Sequence, residues 1–116
     1  MTSDVGSQLR KGVVEFCILG LLEAEPTYGW KLSEQLVDRE MIASIGTLYP
    51  ILGRLRAQGL VSLSEQDSES GRPRKYYSLS SKGMQQLQQF RDQWHPFTAT
   101  VSELISSKNP SKGEIE

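Results

Sequence analysis

The stretch Gly46-Thr47-Leu48-Tyr49-Pro50-Ile51-Leu52-Gly53-Arg54-Leu55-Arg56-Ala57, closed by Gln58-Gly59-Leu60, constrains the fold more than any other part of the chain. At helical spacing Leu48, Ile51, Leu52 and Leu55 share one face. Gly46, Tyr49, Pro50, Gly53, Arg54 and Ala57 turn the other way. A surface helix ordinarily fills its outer face with Glu, Lys and Gln. This one offers glycine, proline, alanine, tyrosine and arginine, a surface shaped for close approach. What approaches should be anionic, because Arg54 and Arg56 are the full charges on this helix. A helix about 20 Å long at ~1.5 Å per residue fits a DNA major groove about 12 Å wide.

The 116 residues carry a formal charge of -1, which excludes a globally basic, histone-like or membrane-surface protein and leaves room for a local basic patch. Such a patch exists. Between Met41 and Lys82 the cations are Arg54, Arg56, Arg72, Arg74, Lys75 and Lys82, and the acids are Glu65, Asp67 and Glu69, six minus three, or +3. A lone cysteine, Cys17, excludes an internal disulfide and fits a reducing cytosol, so a cytoplasmic location is expected. The apolar run Val13 to Leu22 is interrupted by Glu15 and is too short to span a bilayer, so no membrane partner is expected.

Ahead of the organising helix, Gln8 to Glu23 reads as one helix. Apolar residues cover most of its circumference, which hints at a partner chain. Pro26-Thr27 ends it. Thr27 is a fair N-cap for a second helix, Tyr28 to Val37, with Leu32, Leu36 and Val37 inward. Ser44 caps the third helix. Pro50 falls near its start, where a missing donor costs least, and Gly59 stops it. Val61 to Ser64 and Tyr77 to Leu79 alternate as short strands, with a polar tip, Glu65 to Lys75, standing out between them. Ser80 or Ser81 caps a last helix. Gly83 weakens its first turn. There Leu87, Phe90, Trp94, Phe97, Val101 and Leu104 repeat at three and four, the seam of a helix pair. Pro96 lies off that seam and should kink the helix without ending it.

Three helices and a hairpin spell a winged helix-turn-helix, mainly α with a small β-hairpin, followed by a C-terminal dimerisation helix. The expected division is residues 8–80 for the winged unit and 81–107 for the dimerisation helix, with 1–7 and 108–116 as flexible tails. Gly71-Arg72-Pro73-Arg74-Lys75 sets three cations within four residues on the wing, suited to phosphates or a minor groove. A solvated charged loop is the alternative for that segment taken by itself. Beside the third helix, DNA binding is the stronger reading.

The strings Tyr28-Gly29-Trp30-Lys31-Leu32, Gly46-Thr47-Leu48-Tyr49-Pro50, Gly59-Leu60-Val61 and Gly71-Arg72-Pro73-Arg74-Lys75-Tyr76-Tyr77-Ser78-Leu79 resemble the PadR family of transcriptional regulators, in its short-tailed branch. The resemblance runs from about Leu9 to Leu104. It implies a bacterial homodimeric winged-helix protein, usually a repressor, that binds an inverted-repeat operator in double-stranded DNA. It also implies release by small apolar or aromatic effectors. Carried over by position, Thr47, Tyr49, Pro50 and Arg54 would meet DNA from the third helix, and Arg72, Arg74 and Lys75 from the wing.

Lys31 is a fair phosphate contact. Tyr28 is open to a phosphate contact as well, but reads first as a packing residue that staples the second helix to the first. Trp94 is wide for a seam position, and two indoles at a dimer axis can flank a flat aromatic ligand, with Phe90 and Phe97 beside them. The plain alternative is a buried seam residue. Cys17 reads as an inert core thiol. His95 has no second ligand at metal spacing, so neither a metal nor a cofactor is expected. No nucleophile triad, paired carboxylates or phosphate-cradling glycine loop appears, so no enzyme is expected. The competing function is a winged-helix module that docks another protein. The wing's cations speak against it, since protein docking has no general need of them.

Overall fold

The computed structural model describes residues 5–67 and 71–107. Five helices and three strands follow one another: α1 (Val5–Lys11), α2 (Val14–Ala24), β1 (Thr27–Tyr28), α3 (Gly29–Asp38), α4 (Ile45–Ala57), β2 (Val61–Asp67), β3 (Pro73–Leu79) and α5 (Ser81–Ile105). The sheet is antiparallel in the order β1-β3-β2.

The expected first helix is two helices. The chain turns at Gly12-Val13, where the Val13 amide bonds the Arg10 carbonyl at 3.0 Å, and α2 starts afresh at Val14. Glycine is the poorest helix former after proline, so the break falls where it costs least. Helix also begins earlier than expected: residues 5–7, read as tail, belong to α1. The remainder of the expected tails, 1–4 and 108–116, lies outside the described residues. So do residues 68–70 of the wing tip.

Seven residues form the innermost core: Ile18 and Leu19 of α2, Leu32 and Leu36 of α3, and Leu48, Leu52 and Leu55 of α4. Burying each contributes about 1.5–3 kcal/mol. The apolar stripe read from the sequence of α4 is thus its buried face. Val37, expected inward, is exposed at the end of α3. Cys17, expected in the core, is exposed as well, although partial desolvation still pushes its thiol pKa up. α2 is therefore not covered on all sides.

Local signals at the ends of α4 worked unevenly. Gly59 at φ 78° ends the helix in a left-handed turn, with the Gly59 amide bonding the Arg56 carbonyl and the Leu60 amide the Leu55 carbonyl, both at 2.9 Å. That paired closure needs glycine at the turn. Ser44 is the N-cap residue, yet its side chain makes no capping bond. Pro50 is the sixth residue of α4, beyond the first turn, so it withholds a donor from the Gly46 carbonyl. Thr27 does not cap α3. It pairs with Tyr77 in the sheet, and Tyr28 pairs with Tyr76 and takes the cap position. The hairpin strands are longer than expected, running in register from Val61↔Leu79 out to Asp67↔Pro73, so much of the presumed tip is ladder.

Ser80 caps α5 by accepting the Gly83 amide at 2.9 Å. α5 then runs unbroken through Pro96 to Ile105, about 37 Å at ~1.5 Å per residue. Gly83 has a reason beyond helix propensity: a Cβ there would stand 2.1 Å from the Leu60 carbonyl oxygen. Backbone packs on backbone where α5 leaves the sheet.

Candidate nucleic-acid interface

The outer face of α4 is open. Gly46, Thr47, Tyr49, Pro50, Gly53, Arg54, Arg56 and Ala57 are all exposed. Nothing lies within 4 Å of where a Gly53 Cβ would be. At about 100° per residue the centre of this face is Gly46, Pro50, Gly53 and Ala57. Thr47 and Arg54 form one flank and Tyr49 and Arg56 the other.

Tyr49 leans on α3. A Cβ on Gly29 would meet its hydroxyl at 2.8 Å, so glycine at the start of α3 is what lets the ring lie there. The ring helps line a cleft of about 450 Å³ with Trp30, Arg74, Lys75 and Tyr77. Tyr77 is buried, and loss of water raises its phenol pKa, with Tyr49 adding to the rise and Arg56 opposing it. Trp30 is 58 % exposed and Tyr49 49 % exposed. Trp30 is the residue here that sequence reasoning passed over. An apolar indole at a solvent-facing position of α3 was the available signal.

The wing holds its cations differently. The Arg74 guanidinium lies 4.3 Å over the Tyr28 ring, and Tyr28 meets Tyr76 edge to face at 5.6 Å. Tyr28 therefore supports the wing. A cation over an aromatic face contributes about 0.5–1 kcal/mol at an exposed site, so Arg74 is held in place without losing its charge. Lys75 stands opposite Glu65 across the ladder. Arg72 is exposed near the tip, next to Gly71 at φ 86°.

The structure brings Thr47, Tyr49, Pro50, Arg54, Arg72, Arg74 and Lys75 to exposed positions on α4 and the wing. Lys31 is on α3, and its ammonium bonds Glu25 at 3.2 Å. Arg54 is also engaged: its Nε and Nη2 both donate to Oε2 of Glu15, at 3.2 and 2.6 Å. Glu15 was invisible as a partner in the sequence, because it comes from α2, 39 residues away.

A separate cluster forms along α5. Phe16 of α2 stacks on Phe90 at 4.2 Å, and Phe90 on Trp94 at 5.2 Å. Phe90, Trp94 and Phe97 help line a cleft of about 420 Å³ against Leu9 and Val13. Leu87, counted among the seam residues, is instead 3 % exposed in the core of its own chain, with no surface left for a partner to cover. Phe97, Val101 and Leu104 are exposed. The Phe90 end of the stripe is stacked against α2, and the stripe becomes uncovered only as α5 leaves the body. Among the described residues no helix is long and apolar enough to cross a membrane, and no three His, Cys, Asp or Glu side chains group as metal ligands.

Three helices, a glycine-lined outer face on the third of the bundle, and a cationic β-hairpin beside it define a winged helix-turn-helix protein with an added C-terminal helix. The profile of the transcriptional regulator PadR-like family matches residues 18–89. A PadR-like transcriptional regulator of Bacillus cereus is 35 % identical, the match covering 87 % of this chain and 99 % of that one, with a TM-score of 0.78. A PadR family regulator of Eggerthella lenta is 34 % identical over 87 % of this chain and 88 % of that one, with a TM-score of 0.76. Bacillus subtilis PadR, solved in complex with operator DNA, shares the fold at 23 % identity and a TM-score of 0.60, over 67 % of this chain and 47 % of that one. The chain belongs to the PadR-like family of transcriptional regulators, a regulatory and not an enzymatic family.

Proposed function

We propose that this chain is a homodimeric repressor that binds an inverted-repeat operator in double-stranded DNA in the bacterial cytoplasm. Residues 8–80 serve as the reading head and 81–107 as the dimerisation helix. α4 enters the major groove through Thr47, Tyr49, Pro50 and Arg54, while Arg72, Arg74 and Lys75 of the wing, with Lys31 nearby, meet phosphates. The observation that carries this reading is the bare outer face of α4 beside those cations. The B. subtilis PadR complex with operator DNA lends it support by fold.

Dimerisation would cover Phe97, Val101 and Leu104 on α5, with Phe90 and Trp94 at the inner end of the seam. Small aromatic effectors would enter beside Phe90, Trp94 and Phe97, where two rings are already stacked and a cleft is open. A ligand wedged there alters the spacing of the two reading heads and so the fit to the half-sites.

Gel shift and fluorescence anisotropy with the DNA upstream of the chain's own gene test the reading. If the dimer neutralises roughly six phosphates, affinity falls about a thousandfold between 50 and 200 mM salt. Binding that stays flat across that range overturns the electrostatic account, and absence of binding favours the protein-docking alternative. Quenching of Trp94 fluorescence by phenolic acids or planar dyes, measured with Trp30→Phe to remove the second indole, tests the effector site.

A further inference from the structure

We propose that the last turn of α1 is a second phosphate clamp, gripping the DNA backbone on the Thr47–Arg54 flank of α4, opposite the wing. The inference rests on the DNA-binding reading above and extends its footprint to a helix that reading does not use.

A helix lying in a major groove has a phosphate backbone along each side. The helix is about 10–12 Å across with its side chains and the groove about 12 Å wide, so both backbones come close. The wing and Tyr49 serve one side. On the other side the cation on α4 itself is Arg54, and its guanidinium is given to Glu15. A single arginine that also serves Glu15 leaves that backbone short of charge.

α1 supplies it. Its last turn carries Arg10 and Lys11. Both line an open cleft of about 680 Å³ that Thr47, Ile51 and Arg54 of α4 line from the other wall. Among the described residues neither Arg10 nor Lys11 is paired with an acid. Glu40 also lines the cleft, so its charged lining is three cations against one acid. The cleft is continuous with the outer face of α4 through Thr47, which belongs to both. That continuity favours a DNA backbone over a separate small anion as the occupant.

The two edges of α1 are divided. At about 100° per residue, Val5 and Leu9 fall on one side, and both are exposed. Ser7, Arg10 and Lys11 fall on the opposite side and face the cleft with α4. Leu9 instead lines the cleft against Phe90, Trp94 and Phe97. The break at Gly12-Val13 makes this possible. Had α1 and α2 been one straight helix, the direction of α1 would follow α2. Arg10 and Lys11 can therefore be changed without touching the apolar edge of Val5 and Leu9.

The test uses the full chain with operator DNA and with unrelated duplex, titrated across salt concentrations. Arg10→Gln with Lys11→Gln keeps much of the side-chain bulk and removes two charges per protomer. The slope of log affinity against log salt should fall by about four for a dimer, near one for each phosphate no longer neutralised, and affinity should drop by about the same factor on both DNAs. That factor is at least about tenfold at physiological salt. An unchanged slope in a folded variant of wild-type oligomeric state overturns the clamp, as does a loss confined to operator DNA.

Glu40→Gln is the companion variant, because it removes the acid of the same cleft without touching α1. It should tighten binding to both DNAs by a few-fold, and no gain counts against a phosphate in this cleft even if the α1 variant fails to fold. Arg72→Gln, Arg74→Gln and Lys75→Gln together separate the two readings. If that wing variant loses affinity and the α1 variant does not, this inference alone fails. If the wild-type chain binds neither DNA, the functional reading beneath it has failed first.

Discussion

Gly29 and Tyr49 make up one device at the scale of single residues. The glycine lies at the start of α3 and the tyrosine on the exposed flank of α4, and a Cβ on the first would be 2.8 Å from the hydroxyl of the second. The clash falls on the far end of a half-exposed side chain, which can swing away at modest cost. Gly29→Ala should therefore leave the melting temperature within a few degrees, a change of about 1 kcal/mol or less. It should weaken operator binding severalfold by displacing Tyr49, with little change in the salt dependence, since no charge is lost. A Tyr49→Phe variant, which removes the hydroxyl that a Gly29 Cβ would strike, should bring much of the binding back in the double variant. Loss of binding together with loss of folding would assign Gly29 to the core instead.

Residue types alone predicted which side chains α4 exposes, because a 3.6-residue period fixes a face whatever packs against it. They did not predict what those side chains hold. Arg54 reads as a free phosphate contact until α2 brings Glu15 to within 2.6 Å. Lys31 likewise has Glu25. Both are surface pairs, the kind that contributes about 0–1 kcal/mol, so a phosphate can displace either carboxylate at small cost. Such pairs are unreadable from one sequence because they follow from the angle between two helices and not from the spacing along either.

Between elements, the joint of α5 with the sheet is closely tied and leaves no room for a Cβ at Gly83. Ser80 donates its hydroxyl to the Gly59 carbonyl at 2.6 Å and its amide to the Leu60 carbonyl at 3.1 Å, while Lys82 reaches the Gln58 carbonyl at 2.9 Å. The turn after α4 is thereby tied to the first turn of α5. Gly83→Ala places a methyl against the Leu60 carbonyl and the Leu79 side chain, and backbone cannot step aside as the Tyr49 ring can. Overpacking of this kind costs about 1–3 kcal/mol or more. We expect a melting temperature lower by about ten degrees or more in a chain of this size, seen by circular dichroism. An unchanged melt would mean that the joint flexes freely. The sequence supports Ser80 as a cap but treats Gly83 as a weakness of the helix, because a demand for close backbone approach leaves no mark other than the glycine.

Farther along α5, Arg91 reaches both carboxylate oxygens of Glu23 on α2, with Nη1 3.2 Å from Oε2. This bond holds the Glu23 pKa below the ordinary glutamate value of 4.5. A depressed carboxyl stabilises the fold above its unfolded pKa, and that contribution disappears as pH falls through the folded value. Glu23→Gln should therefore lose a little stability at neutral pH and converge with the wild type in acid, below the usual glutamate range. Both groups are exposed, so the effect is small and shrinks with salt. Parallel curves for the two proteins from neutral to acid would remove the bridge from the stability of the α2–α5 contact.

As a whole the molecule is drawn out, 68 × 35 × 22 Å, with a radius of gyration of 18.0 Å, where a compact chain of this length has about 13 Å. α5 adds a long arm to it: the helix leaves the core after Leu87 and carries Phe97 at 61 %, Val101 at 36 % and Leu104 at 66 % exposure. The sequence made this arm legible through its three-and-four spacing. It did not reveal where the stripe stops serving the protomer's own core, because Leu87 and Phe97 look alike in a periodic pattern and differ only in burial. That boundary suggests where to cut. Val101→Asp with Leu104→Asp charges the far end of the arm, beyond every core residue, so each protomer should keep its fold and melt almost as before at high concentration. Sedimentation should show a dimer converted to monomer. Joining two reading heads multiplies affinity for a two-site target by about 10²–10⁴, so binding to a full inverted repeat should fall by that order while binding to a single half-site stays within a few-fold. The difference between the two DNAs, not the loss on either, is the measurement that counts. A wild-type chain that already sediments as a monomer, or a charged arm that still prefers the full repeat, would require the two heads to be joined through some surface other than α5.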